Sequence, residues 1–201
     1  PHLSAAVLIG MTTLVILFVA GARIIHMASL GIVGSALALV LIVKKPYRLK
    51  RLLSFLDPWK NPSEEGYHII QSLYALGSGG LIGVGLGRSR QKFFYLPEPQ
   101  TDFIFSVIGE ELGFLGAAFV ILFFMFFIWR GYRTAIAAPD MFGKLMATGI
   151  TTLITLQFLI NIAVVTASVP VTGMPLPFIS YGGSSLTITL SQVGILLNIS
   201  K

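Results

Sequence analysis

Three cations in five residues precede an aromatic run and then a carboxylate. Arg88, Arg90 and Lys92 lead into Phe93-Phe94-Tyr95, and Asp102 follows Pro97-Glu98-Pro99-Gln100-Thr101. Arg and Lys grip phosphate and pyrophosphate groups, Arg with a bidentate fork. The same cations equally anchor a loop to lipid phosphates at a membrane surface. A carboxylate at the edge of an apolar segment is costly unless it is paired or functional. Thr101 is the expected N-cap of the helix that follows, after prolines that keep the chain extended, and Asp102 would then sit in its first turn. The helix dipole would lower the pKa of Asp102 there, while burial beside Phe103 and Phe105 would raise it. Glu110 and Glu111 come about two turns later. Glu110 lies at i+8 from Asp102, about 80° around a helix, so the two carboxylates need not converge. The expected role of both glutamates is support: solvating a helix end, or pairing with a loop cation.

A second stretch of interest is Pro170-Val171-Thr172-Gly173-Met174-Pro175-Leu176-Pro177-Phe178-Ile179, continued by Ser180-Tyr181-Gly182-Gly183-Ser184-Ser185. Rigid extended chain leads there to backbone N–H groups at a helix start, which suits an anion. It equally suits ordinary turn and cap chemistry. Several enzyme constellations are missing from the sequence. It has no HExxH, no GxxxxGK[ST] and no GxSxG, and its three histidines (His2, His26, His68) are far apart. With no cysteine either, zinc–thiolate sites, disulfides and cysteine nucleophiles are excluded.

The elements that must carry these residues are membrane helices. The 201 residues are 55% hydrophobic and only 11% charged, against about 25% charged in ordinary soluble domains. Leu3–Ala22, Leu112–Trp129 and Leu145–Pro170 carry no charge at all, and about 20 apolar residues cross a bilayer. The pattern predicts an all-α polytopic bundle with spans at about 3–22, 27–43 (from Ile24 if Ile24 and Ile25 extend it), 107–129, 146–169 and 183–199. Recurrent Gly and Ser inside them suit close helix packing in lipid. Between the second and third spans, residues 44–106 hold nine basic side chains (Lys44, Lys45, Arg48, Lys50, Arg51, Lys60, Arg88, Arg90, Lys92) against five acidic ones (Asp57, Glu64, Glu65, Glu98, Asp102), a net +4. Its middle, Tyr67–Gly87, is semi-apolar with six glycines, which predicts a re-entrant or interfacial segment covered by protein. The short basic loop 130–144 marks the cytoplasmic side. That places 44–106 and 170–185 together outside. The net charge of +6 is matched to anionic lipid head groups rather than nucleic acid. The abrupt Pro1-His2-Leu3 start reads as a fragment.

The run Phe93–Phe105 with Gly109-Glu110-Glu111-Leu112-Gly113, the upstream Pro46-Tyr47-Arg48-Leu49-Lys50-Arg51 and Phe55-Leu56-Asp57-Pro58-Trp59, and the closing Pro177–Ser185 resemble the SEDS family. That family comprises the FtsW, RodA and SpoVE proteins of bacterial division, elongation and sporulation. The resemblance covers essentially the whole chain. Asp57-Pro58-Trp59 and Gln91–Pro97 look closer to the FtsW/SpoVE branch. Family members have about ten spans, so the resemblance implies the C-terminal half of such a protein, a fragment expected to be inactive alone.

The resemblance implies a peptidoglycan glycosyltransferase that polymerises lipid II on the outer face of the bacterial cytoplasmic membrane, at the septum. The family's essential outer-loop aspartate corresponds to Asp102, as general base or electrostatic organiser of the acceptor. Arg88, Arg90 and Lys92 become candidates for the pyrophosphate. Glu98, Ser180, Tyr181, Gly182, Gly183 and Ser184 complete the expected substrate-binding set. No cofactor is required by the pattern; a divalent cation is an option, but one aspartate defines no metal site. The implied partners are a class B penicillin-binding protein transpeptidase, other division proteins and membrane lipids. Two alternatives remain open from the residues: a lipid II flippase, and a non-catalytic scaffold of the division complex.

Overall fold

The computed structural model of the protein describes residues 3–44, 46–60, 62, 66–94, 96 and 98–201, with side chains at these positions other than 46–49, 53, 93 and 94. Lys45, Glu64, Glu65, Tyr95 and Pro97 lie outside the described residues, as do the side chains of Arg48, Phe93 and Phe94. Every regular element among the described residues is helical: α1 (Leu3–Val19), α2 (Ile24–Val43), α3 (Pro46–Leu56), α4 (Tyr67–Ser78), α5 (Arg90–Phe94), α6 (Ile104–Ala137), α7 (Met141–Val165) and α8 (Gly183–Ile199), with one 3₁₀ turn at Pro58–Lys60. Helices satisfy their own backbone groups, which a bilayer interior demands. α2, α6 and α7 are long and apolar enough to cross a membrane. α1 and α8 are apolar but have 17 residues each, about 25 Å of rise.

Helix boundaries depart from the hydropathy pattern for local reasons. α1 ends at Val19 rather than residue 22, where Gly21 takes φ +86 and turns the chain. α2 begins at Ile24, ahead of His26. α7 begins at Met141 rather than 146 because Asp140 caps it, accepting from the Gly143 N–H at 2.8 Å. It ends at Val165 rather than 169, two residues before Ala167 turns at φ +54. α6 overruns 107–129 at both ends.

α6 is broken at Gly113 (φ +68, ψ −166) into an outer segment of 9 residues and a spanning segment of 24. Such a break frees backbone groups of the i→i−4 ladder. The stretch after α4 takes them up. Val84 N donates to Glu110 O and Gly85 N to Glu111 O, both at 3.0 Å, while Phe114 N and Leu115 N donate to Gly80 O and Leu81 O at 2.8 and 3.2 Å. The two backbones approach so closely that a Cβ at Gly83 would collide with the Glu111 carbonyl, and one at Gly79 with that of Gly109. The glycine-rich stretch is thus covered by protein, as its sequence predicts, seated inside a broken helix.

α6 and α7 run antiparallel through the core. Phe124 stacks on Phe158 at 4.2 Å, and Gly131 lets α6 approach Thr151 closely. α1 packs Ile16 over Gly149 of α7. α4 buries Ile69, Ile70, Ser72 and Ala75. The Ser72 hydroxyl lies 2.7 Å from both the Ser106 hydroxyl and the Val165 carbonyl, joining α4, α6 and α7. α2 has no buried residue. Ser4 of α1 bonds Thr172 O at one end of the bundle, whereas Val15 and Val19 line a cleft with Tyr132 and Lys144 at the other. The long loop and the 166–182 connection therefore share one end, opposite 130–144.

Candidate functional site

Asp102 lies in a turn, not in a helix. α6 starts at Ile104, with Phe103 in the cap position and no side-chain cap. Thr101 does not cap it. Its hydroxyl donates to the carbonyl of Glu98 at 3.3 Å and to its carboxylate at 3.2 Å. The hydroxyl found this nearer partner because Glu98, at φ +51, folds the chain into a turn.

The Asp102 turn is held from two sides. Asn161 of α7, 1% exposed, donates through Nδ2 to Asp102 O at 2.9 Å and to Met174 O at 2.8 Å. One turn further along α7, Gln157 donates to Pro175 O at 3.0 Å. The Ser180 hydroxyl donates to Thr101 O at 2.5 Å and accepts from Leu176 N at 2.7 Å, and Tyr181 N donates to Gln100 O at 2.8 Å. Asn161 stands four residues before the end of α7, so Asp102 is sunk about 6 Å below that end. The 170–182 loop dips with it, seating Phe178 (φ +66) against Phe124 and Phe127. α8 can therefore be short: the loop occupies the outer part of its column.

Burial lifts the Asp102 carboxyl above its ordinary value, and the Glu98 charge lifts it further; His68 and Arg51 oppose the lift. His68 stacks on the buried Phe103 ring at 6.0 Å. Arg51, on α3, donates to Val171 O at 3.2 Å. Asp102 Oδ2 lies 3.5 Å from where a Cβ on Gly173 would stand, so a glycine (φ +67) keeps that side of the carboxylate clear.

The three clustered cations sit on and just before α5, against a different stretch of α6. Glu110, 2% exposed, accepts from Ser89 Oγ at 2.5 Å and from Arg90 N at 3.1 Å, capping the short α5. Lys92 Nζ is 3.9 Å from Glu111 Oε1. Glu110 and Glu111 thus anchor the cation loop rather than solvating a helix end, roughly 9 Å along α6 from its start. Lys92 is nearest Asp102 in sequence, but its carboxylate partner is Glu111. The basic side chains that oppose the lift on Asp102 are His68 and Arg51. Arg88 and Arg90 have exposed side chains.

The structure thus gathers Asp102, Glu98 and Ser180 around one turn, and seats Lys92 with Glu110 and Glu111 on another. Tyr181 reaches the turn through its backbone, with its ring 78% exposed. Gly182, Gly183 and the exposed Ser184 form the start of α8, without a side-chain cap. Sequence reasoning missed Asn161, Gln157, Arg51 and His68. The first two had a signal: polar amides at i and i+4 inside an uncharged apolar run, which in lipid face protein. The other two had none, because only the fold brings them near residue 102.

Comparison with known proteins places this geometry. The FtsW/RodA/SpoVE family of cell cycle proteins matches residues 1–201. The chain is 54% identical over 201 residues to stage V sporulation protein E of Bacillus subtilis, covering all of this chain and 55% of that protein. It is 50% identical over 200 residues to a probable peptidoglycan glycosyltransferase FtsW of Trichlorobacter lovleyi, covering 52% of it. The chain therefore spans about half the length of these curated relatives. Among solved structures, it superposes with a TM-score of 0.78 and 30% identity on a chain of a peptidoglycan synthase complex described for its structural coordination of polymerization and crosslinking, covering 56% of that chain. It superposes at 0.63 and 27% on the rod shape determining protein RodA of Thermus thermophilus, covering half of it.

Proposed function

The chain belongs to the FtsW/RodA/SpoVE family of cell cycle proteins, and from that premise we propose that it forms the C-terminal half of a membrane-embedded peptidoglycan glycosyltransferase. Its substrate is lipid II, polymerised into glycan strands at the outer face of the bacterial cytoplasmic membrane, at the septum or during sporulation. A class B penicillin-binding protein crosslinks the product beside it. The relatives named for glycosyltransfer, sporulation and a polymerizing, crosslinking complex support this reading.

The observation that carries it is Asp102: a half-buried carboxyl on a turn pinned by Asn161, Ser180 and Tyr181, with its proton affinity raised. A carboxylate of raised pKa is the better general base for an acceptor hydroxyl. Arg51 and His68 are close enough to keep it ionisable. Arg88 and Arg90, on the loop that Glu110 caps, present their guanidinium groups to the departing pyrophosphate. For the divalent-cation option, no group of three potential ligands converges among the described residues, and no step is assigned to a metal. Leu3–Val19, Phe114–Trp129 and Leu145–Val165 contain no ionisable residue, whereas a flippase path needs such groups through the membrane depth. The test is labelled lipid II given to the full-length protein and its transpeptidase partner with no other transferase. Glycan chains are expected; translocation without chains would favour the flippase.

A further inference from the structure

The end of the bundle opposite Asp102 carries a feature this function does not use. Between the ends of α6 and α8 lies a cleft of about 460 Å³ lined by Arg130, Arg133, Thr134, Ser200, Lys201 and Ile199. No acid lines it. The carboxylate of Asp140, next to the cleft, is committed to the N-terminus of α7. Neither arginine has a carboxylate partner among the described residues. Both guanidinium groups instead sit by the Trp129 ring, at 6.0 and 5.4 Å from its centre. Cations on an indole face are held without being neutralised.

Depth identifies the occupant. From the Gly113 break to Arg130 the spanning segment rises roughly 24–26 Å, close to the thickness of a hydrocarbon core. Trp129 thus stands where aromatic side chains mark the interface. The cleft opens at the level of lipid phosphates, on the end that holds Arg23, Arg130, Arg133, Lys144 and Lys201 against Asp140. We propose that this cleft is a binding site for the phosphate head group of an anionic phospholipid, with Arg130 and Arg133 on the phosphate oxygens, Thr134 and Ser200 offering hydroxyls, and Ile199 against the glycerol. Basic pockets between helix ends on the cytoplasmic side suit such head groups. The site is independent of the polymerase reading.

The test is native mass spectrometry of the full-length protein, counting bound phosphatidylglycerol against phosphatidylcholine. The wild type should prefer phosphatidylglycerol. Arg130→Gln and Arg133→Gln should each weaken that preference about fivefold, and together about 25-fold. Arg130→Lys with Arg133→Lys, which keeps the charge, should retain most of it. Arg23→Gln with Lys144→Gln, at the same end but outside the cleft, should change nothing. Ala137 also lines the cleft, and Ala137→Phe, which fills it without altering charge, should cost as much as losing one arginine. Equal losses in the Arg23/Lys144 pair, or full binding by Ala137→Phe, would mean diffuse surface attraction and overturn the proposal. So would unaltered binding by the double glutamine variant, or displacement of the lipid by equimolar inorganic phosphate, which would mark a site for a free anion.

Discussion

Replacing Asn161 by leucine removes the α7 side chain that holds both the Asp102 turn and the 170–182 loop, and keeps a branched side chain with the same number of heavy atoms. Two carbonyls, the half-buried Asp102 O and the buried Met174 O, lose their donor. Each orphaned group costs about 1–3 kcal/mol. Asn161 Oδ1, itself buried without a partner, goes with the side chain and returns a similar amount. The net destabilisation is therefore only about 1–3 kcal/mol. Activity should fall further than that suggests, because an ångström of misplacement in a catalytic group costs on the order of a hundredfold. We expect Asn161→Leu to fold, with a modestly lower melting midpoint, and to polymerise lipid II at least about tenfold more slowly. Asn161→Asp also cannot donate, and it adds a negative charge beside the turn. That should raise the Asp102 pKa further. A base must be ionised to act, so the acid limb of the pH–rate profile should move to higher pH. Near-normal polymerisation by the leucine variant, with an unmoved profile in the aspartate variant, would refute the positioning argument.

Three further outcomes follow from the same geometry. Gly83→Ala combines positive φ with a collision against Glu111 O, and should cost about 2–5 kcal/mol of stability, read by thermal unfolding; a loss under about 1 kcal/mol would mean the re-entrant segment is not seated in the α6 break. Cysteines at the exposed Lys60 and Tyr181 should label with an impermeant thiol reagent in intact cells, and one at Pro139 should not; the reverse pattern would invert the membrane orientation. Because the Asp102 pKa is raised on folding, its burial carries no penalty below the ordinary carboxylate pKa and destabilises the fold increasingly as pH rises from there through the elevated value. Asp102→Asn should therefore melt no lower than wild type at neutral pH, with the difference closing toward acid pH.

The all-helical fold and the approximate helix positions are legible because long uncharged runs have one solution in lipid. The glycines of Tyr67–Gly87 are legible too, since a stretch so apolar and so broken needs a protein cover, here the gap at Gly113. Helix ends were less so. Thr101 looks like a cap, yet its hydroxyl is taken by Glu98; Asp140, which does cap a helix, lies just before the expected span. Asp102 stands out as a carboxylate at the edge of an apolar run, but its surroundings do not. Lys92, ten residues away, pairs with Glu111, while Arg51 and His68 reach Asp102 from other helices. Ser180 belongs to a stretch that resembles an anion site, and its hydroxyl is spent on Thr101 and Leu176. Such assignments depend on where distant segments meet, which no local spacing encodes.

The central claim is that the Asp102 carboxylate drives glycan polymerisation by this family member. The most direct measurement is the initial rate of labelled lipid II polymerisation by full-length protein carrying Asp102→Asn, alongside its melting midpoint and its binding to the transpeptidase partner. The account predicts a folded, partner-competent protein that makes no detectable glycan, since the amide keeps the shape and removes charge and basicity. Polymerisation at the wild-type rate by that variant would contradict it.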